Sequence, residues 1–351
     1  MTAGNKKERN KAGETAIDGK NSQHEARDGV EIGLNAAIVA LERNEPMILT
    51  VVSNGETQAA NDHQHGRQYG LPFGRFEPLT HHTMEMGVRG FVEEQTGLKF
   101  GYIEQLYTFG DRGRVVPRVD GEMHVVSIGY LALTRMGEHN PVSAQWRSWY
   151  LAFPWEDWRQ GTPEIIQQEI VPRLLEWAKT TRAKSRGGPV DPLDRVNICF
   201  GGGGVGWDDE KVLDRYELLY EAGLVYEAQR DGRRAAAEIK DPPWLGEPMI
   251  LDHRRILATA MSRMRAKIKY RPVIFDLMPA SFTLLQLQQS AEAVSGNLLH
   301  KQNFRRLVEQ GGLVVATGKM SSETGGRPAK LYRFRKEVLL ERRTAGIRVR
   351  R

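Results

Sequence analysis

The chain has 351 residues and carries 50 Lys+Arg against 44 Asp+Glu, a formal net charge of +6. That length is sufficient for two or three domains. Its single cysteine, Cys199, excludes an intramolecular disulfide and a cysteine-built zinc site. The polar N-terminal stretch predicts no signal peptide, and no apolar run reaches the length of a membrane span. These features predict a cytoplasmic protein.

The charge is distributed unevenly along the chain. From His253 to the C-terminus there are 21 Lys+Arg and 6 Asp+Glu, a balance of +15, which leaves 29 against 38, or −9, for residues 1–252. A basic third joined to an acidic remainder indicates a localised surface for a polyanion. The alternative is a solvated basic face that binds nothing.

The N-terminal part begins with a polar segment, residues 1–28, which we predict to be a disordered tail. Folded structure is expected from about residue 32, with a hairpin of strands at Asn35–Leu41 and Met47–Val52. His63 and His65 stand close together in the following polar loop. Because no third ligand is evident, we expect surface histidines there and predict no metal site.

A helix predicted over Thr80–Gln95 stands between Leu71-Pro72-Phe73-Gly74 and Thr96-Gly97-Leu98. This arrangement resembles the Nudix box, whose pattern is G-x5-E-x7-R-E-U-x-E-E-x-G-U with U apolar. The final glycine and apolar residue place the box over residues 76–98. Its other positions are then occupied by Phe76, His82, Gly90, Phe91, Val92, Glu94 and Gln95.

The departures from the Nudix pattern bear on catalysis. Nudix hydrolysis needs several carboxylates on one helix face to hold divalent metal ions against a pyrophosphate. Only Glu94 remains at a ligand position, so the resemblance implies the Nudix fold while the losses predict no catalytic residues. In the alternative, Glu85, Glu93 and Glu94 bind a metal in another geometry.

The stretch after the box carries a second resemblance. The run Glu104–Asp111, with Arg114 and Arg118 before a strand at Val125–Leu133, is similar to the matching part of Nudix-related transcriptional regulators of NAD metabolism. In that family a Nudix-like domain senses a nucleotide. The resemblance implies that Asp111, Arg114 and Arg118 bind the ligand, since guanidinium groups form bidentate bonds to phosphate. The alternative is a hairpin loop with solvent-exposed arginines.

Residues 141–251 give the weakest signals and are predicted to be a helical connecting region. One amphipathic helix is expected over Pro163–Thr181 and another over Asp208–Glu221. The glycine run Phe200–Gly206 lacks the lysine and hydroxyl residues of a phosphate loop, so we interpret it as a flexible connection. Packing is the expected role of the four tryptophans Trp146, Trp149, Trp155 and Trp158.

The C-terminal part predicts a winged helix-turn-helix. After a helix over Asp252–Tyr270, Thr283 and Gln286 form a capping-box pattern at the start of a helix that ends near Ser295-Gly296. A second helix begins near His300 or Lys301 and ends at Gly311-Gly312, with Phe304, Leu307 and Val308 as its buried stripe. Strands at Leu313–Thr317 and Lys330–Phe334 complete the order of elements. The motifs FDL-x-P, FTL-x-x-LQ, NFRR and GGRPA-x-LYRF extend the resemblance to the same regulators.

In a winged helix-turn-helix the second helix lies in the major groove. Arginine can bond guanine there, and asparagine or glutamine can bond adenine. The predicted DNA-binding residues are therefore Lys301, Gln302, Asn303, Arg305 and Arg306 on the helix, and Lys319, Arg327 and Lys330 in the wing.

Together these features predict an α+β protein. Its expected parts are a Nudix-like α/β/α sandwich at 30–140, a poorly defined helical region at 141–251 and a winged helix-turn-helix at 252–340. The resemblance implies a repressor of NAD biosynthesis or salvage genes. It would bind operator DNA as a homodimer, require no cofactor and respond to ADP-ribose or an NAD-related nucleotide. One alternative is an active Nudix hydrolase with an accessory DNA-binding domain. Another is a DNA-binding protein whose Nudix domain only mediates dimerisation.

Overall fold

The computed structural model describes residues 30–52, 69–99, 101–111, 124–137, 144–184, 190–321 and 328–338. The predicted tail, the two loop histidines His63 and His65, and the predicted site residues Arg114, Arg118 and Arg327 lie outside the described residues. Within the described residues, none of the helices combines the length and apolar character needed to cross a membrane.

The N-terminal half is built on one mixed sheet. Its elements are β1 (Val30–Glu42), β2 (Glu45–Val52), β3 (Tyr69–Gly70), β4 (Phe73–Arg75), α1 (Met84–Thr96), β5 (Tyr102–Phe109), β6 (His124–Leu133) and β7 (Ala144–Ser148). The strand order is β3-β2-β1-β6-β5, with β4 also pairing with β1 and β7 with β2. The pair β1–β6 is parallel and the others are antiparallel. Sequence patterns did not predict β5.

The hairpin of β1 and β2 is confirmed, but both strands extend further than predicted. They meet at a two-residue turn of Arg43 and Asn44, whose φ angles are 48° and 66°. Two consecutive left-handed residues match the right-handed twist of paired strands, so the strands can continue to the turn itself.

Strand β1 is buried on both faces. Leu34 and Ile38 contact the side of the sheet covered by α1, with Val88 and Val92. Ala37 and Val39, at the alternate positions, belong to the larger core on the opposite side. The side chains of β1 alternate between the two faces of the sheet, and other elements cover both faces. The predicted α/β/α sandwich is therefore confirmed.

Helix α1 begins later than predicted, at Met84 instead of Thr80. Thr83 has extended backbone angles, and its side chain accepts a hydrogen bond from the backbone N–H of Met86. That geometry makes Thr83 the N-cap. The helix ends at Gly97, which has a φ of 69°.

The middle region forms a packed helical layer. A π-helical stretch, Ile166–Ile170, continues into α2 (Val171–Lys184), followed by α3 (Pro192–Phe200), α4 (Val212–Glu221), α5 (Tyr226–Arg230) and α6 (Arg234–Ala237). Trp149 and Trp155 are fully buried, as their predicted packing role requires. The glycine run joins α3 to α4 and surrounds the side chain of Asn197, which leaves no room for a Cβ at Gly202 or Gly203.

The C-terminal elements are α7 (His253–Tyr270), α8 (Ile274–Leu277), α9 (Leu284–Ser295), α10 (Lys301–Gln310), β8 (Val314–Ser321) and β9 (Ala329–Phe334). Helix α7 contacts β1, β5 and α4 as well as α9.

At the start of α7, the buried His253 accepts a hydrogen bond at Nδ1 from the N–H of Leu71, at 2.9 Å. Burial lowers the pKa of His253 to about 3, so this ring is neutral. The predicted domain boundary at 252 remains a prediction.

The winged helix-turn-helix has the predicted capping box. The Thr283 hydroxyl accepts from the N–H of Gln286 at 3.1 Å, and the Gln286 side chain accepts from the N–H of Thr283 at 2.8 Å. Helix α9 ends at Gly296, with a φ of 72°. Phe282 pairs with Tyr332 on β9, which joins the start of the helix-turn-helix to the wing.

Candidate nucleic-acid interface and effector site

Helix α10 presents a polar, basic face to solvent. Phe304 and Val308 are buried, whereas the five predicted DNA-binding residues of this helix are exposed: Lys301, Gln302, Asn303, Arg305 and Arg306. Leu307 is 36% exposed, so the predicted buried stripe is wrong at that position. A helix turns about 100° per residue, which places Leu307 at the edge of the stripe.

The wing adds cations beside this helix. Lys319 on β8 and Lys330 on β9 are exposed. Arg333 on β9 is exposed as well, although sequence reasoning did not select it. The exposed residues of β9, Lys330 and Arg333, are three positions apart, so a strict two-residue alternation would not have identified Arg333.

One cleft brings residues of the helix and the wing together. Arg305 and Lys330 both line a cavity of about 320 Å³ that also includes Thr283, Leu284 and Tyr332. The N-terminus of α9 is therefore beside both cations. The capping box already binds the N–H groups of Thr283 and Gln286, and Glu309 lines the same cavity. The two cations and the helix dipole are therefore the features that favour an anion such as a DNA phosphate here.

Across the described ranges, most basic residues of α7, unlike those of α10, form ion pairs within the protein. Arg254 is buried and pairs with Glu227 at 3.0 Å, and Arg265 is buried and pairs with Glu156 at 2.6 Å. Further ion pairs join Lys267 to Glu104, and Lys269 to Asp209 and Glu210. The excess of +15 therefore overstates the charge available to a polyanion, because carboxylates of the acidic part neutralise much of α7.

The predicted ligand-binding residue Asp111 lies just after β5, with its side chain 57% exposed. Its carboxylate is 2.5 Å from Nη1 of Arg255 on α7. The guanidinium of Arg255 also contacts Asp252 at 3.2 Å and lies 4.9 Å from the ring centroid of Phe109. The structure thus places a guanidinium from α7 beside Asp111. No local sequence pattern linked Arg255 to this position, since 144 residues separate the two.

The carboxylates of α1 do not form a metal-binding group. Glu85 pairs with Arg89 at 2.9 Å, Glu93 pairs with Lys99 at 2.9 Å, and Glu94 is exposed. Glu85 and Glu93 are eight residues apart, roughly 12 Å along a helix. In the described part of the chain, the one carboxylate group compact enough for a metal ion is Asp208, Asp209 and Glu210, outside α1. The residues of α1 therefore do not fit the metal cluster of a Nudix hydrolase.

Comparison with known proteins finds similarity to the C-terminal part of the chain. The NrtR DNA-binding winged helix domain matches residues 274–334. The ADPR responsive transcriptional repressor NtrR of Acinetobacter baylyi (strain ATCC 33305 / BD413 / ADP1) is 40% identical over 86 residues, which are 24% of this chain and 34% of the repressor. The matched segment thus spans about a third of the length of that relative.

Similarity to solved structures extends over most of the chain. The crystal structure of Shewanella oneidensis NrtR superposes with a TM-score of 0.51 and 18% identity, covering 88% of this chain and 95% of that one. At this identity the similarity is one of fold. Residues 274–334 are therefore similar to the NrtR DNA-binding winged helix domain, and the chain as a whole has a fold similar to that of Shewanella oneidensis NrtR.

Proposed function

We propose that this protein is a transcriptional repressor that binds operator DNA through α10 and the wing. The observation that carries this proposal is the exposed face of α10, within a segment that matches a DNA-binding winged helix domain. Arg305 and Arg306 pair with no carboxylate among the residues that the structure describes, unlike Arg254 and Arg265 of α7. Unpaired exposed cations are available to phosphates and base edges.

The regulated genes and the assembly belong to the same proposal. The resemblance to regulators of NAD metabolism favours promoters of NAD biosynthesis or salvage genes. A cytoplasmic homodimer that binds a palindromic operator suits a winged helix-turn-helix, because two recognition helices then occupy successive major grooves. The experiment is a fluorescence-anisotropy titration of such a promoter fragment, with a scrambled fragment of equal length as the control. Equal affinity for both fragments would contradict the proposal.

We further propose that the Nudix-like domain senses ADP-ribose or a related nucleotide. The name of the Acinetobacter baylyi relative, an ADPR responsive repressor, supports this effector class. An effector alters DNA affinity only if it binds the free and the DNA-bound conformations differently. Repeating the titration with ADP-ribose tests this directly. An unchanged DNA affinity would favour the alternative in which the Nudix domain only mediates dimerisation.

The candidate effector residue Asp111 yields a specific prediction. We expect Asp111→Asn to weaken ADP-ribose binding about 10- to 100-fold, since a hydrogen bond to a charged group contributes roughly 1.5–3 kcal/mol. Isothermal titration calorimetry measures the change. Asp194→Asn, at an exposed position on α3, is the matched control. Unchanged affinity in Asp111→Asn would remove this residue from the effector site.

We infer that the domain binds its nucleotide without hydrolysing it. Incubation with ADP-ribose and Mg²⁺ is expected to release no AMP, because Glu94 alone cannot hold the metal ions that activate water against a pyrophosphate. Anion-exchange chromatography of the products checks this, with a competent Nudix hydrolase in the same buffer as the positive control. Sustained AMP release would favour the hydrolase alternative.

A further inference from the structure

The C-terminus of α9 is bound by Tyr150 and Arg265, which lie outside residues 274–334, the segment that matches the winged helix domain. A helix end leaves its last carbonyls without intrahelical partners. Here the carbonyl of Ala293 accepts from the hydroxyl of Tyr150 at 2.6 Å, and that of Val294 accepts from Nε of Arg265 at 3.1 Å. Burial raises the pKa of Tyr150, so its hydroxyl remains protonated and able to donate.

Gly296, two residues after Val294, extends this contact. The carbonyl of Gly296 accepts from the backbone N–H of Trp158 at 2.7 Å. Gly296 has a φ of 72°, and a Cβ there would collide with the carbonyl oxygen of Glu156 and lie 2.8 Å from Nη2 of Arg265. Glycine is thus required both by the left-handed backbone and by the close approach. We call Tyr150, Glu156, Trp158, Arg265 and Gly296 the α9 junction.

The donors of the α9 junction are themselves fixed by a buried ion network. The carboxylate of Glu156 accepts from Arg215 at 2.6 and 2.9 Å and from Arg265 at 2.6 Å, and all three side chains are fully buried. Arg265 also donates to the carbonyl of Glu156 at 3.0 Å. The guanidinium that caps α9 therefore has its orientation determined by the middle region and α7.

Helix α9 in turn determines the position of α10. Within the turn between them, the N–H of Leu299 donates to Glu292 at 2.8 Å, and its carbonyl accepts from Gln288 at 3.0 Å. On the other side of α9, Gln289 accepts from Asn44 in the β1–β2 turn at 3.2 Å. A change in the orientation of α9 would consequently move the recognition helix relative to the sheet.

We propose that Tyr150, Arg265 and Gly296 are positioning residues for DNA binding, which fix the orientation of the recognition helix relative to the Nudix-like sheet. This inference rests on the proposed function, since it concerns how the same interface is presented to DNA. A recognition helix free to reorient is competent for binding only a fraction of the time, and the apparent affinity falls by that fraction.

The test is Tyr150→Phe, which removes one donor and retains the ring. We expect a roughly 3- to 10-fold weaker operator affinity, the equivalent of one hydrogen bond. A pulsed electron-paramagnetic-resonance distance between spin labels at Leu79→Cys and Met320→Cys, on a Cys199→Ala background, should have a broader distribution in Tyr150→Phe. Both label positions are exposed, one on the sensor and one in the wing. Loss of stability alone would lower the Tm and leave that distribution unchanged.

Two variants separate the possible outcomes. Tyr107→Phe, at an exposed tyrosine, is the matched control and should preserve both affinity and distance distribution. Arg305→Ala must weaken operator binding if α10 reads DNA at all. If Arg305→Ala weakens binding while Tyr150→Phe changes neither affinity nor the distance distribution, the positioning inference is wrong. If Arg305→Ala has no effect, the proposed function itself fails.

Discussion

Replacing Arg305 and Arg306 together by alanine is expected to abolish operator binding in a gel-shift or anisotropy assay. Each base or phosphate contact contributes roughly 1–3 kcal/mol, so the double change should weaken binding at least about 30-fold. Both side chains are exposed on α10, and its buried residues Phe304 and Val308 are untouched. The variant should therefore fold as the wild-type protein does.

The control for this variant must remove the same charge elsewhere. Lys179→Ala with Arg234→Ala also lowers the net charge by two, and both side chains are more than two-thirds exposed in the helical middle region. Because long-range steering depends on total charge, this control should reduce affinity only slightly, and less so at higher salt. Equal losses in the two double variants would show that α10 does not read DNA.

The salt dependence of binding adds an independent measure. Each phosphate contact contributes about −0.9 to the slope of log affinity against log salt concentration. Loss of a phosphate contact at Arg305 or Arg306 should reduce that slope by about one per contact. An arginine that contacts only bases should weaken operator binding with little change of slope.

Replacing Glu156 by glutamine is expected to destabilise the protein by about 3–5 kcal/mol. Glutamine retains the shape of the side chain but leaves Arg215 and Arg265 buried without a counter-charge, which is the costly way to break a buried ion pair. The shortest distances from this carboxylate to the two guanidinium groups are both 2.6 Å, with full burial of all three side chains. The free energy of unfolding, measured by urea denaturation at pH 7, gives the size of the effect.

An exposed ion pair provides the comparison. Glu176→Gln removes the partner of Lys179, where both side chains are more than two-thirds exposed. Exposed pairs contribute little, so this variant should remain within about 0.5 kcal/mol of the wild-type protein. If Glu156→Gln lowered the free energy of unfolding by no more than Glu176→Gln does, the buried network would contribute no more stability than an exposed ion pair.

The winged helix-turn-helix was predictable because its signals are local. The capping box of Thr283 and Gln286, the left-handed glycine that ends α9 and the start of α10 each depend on residues within a few positions of one another. The Nudix-like sandwich followed from the resemblance to the Nudix box, and the β1–β2 hairpin from its strand-forming residues. Strand β5 was not predicted, because apolar and polar residues do not alternate regularly along it.

The sequence by itself determined the exposed basic face of α10, the fold of both terminal parts and the loss of carboxylates from the Nudix box. It could not determine which arginines of α7 are exposed, because an arginine on that helix gives the same local pattern whether it faces solvent or a buried carboxylate. Only the tertiary structure paired Arg265 with Glu156, 109 residues away, and Arg255 with Asp111. Those pairings show that most cations of α7 are used inside the protein, whereas the cations proposed to bind DNA are exposed on α10 and the wing.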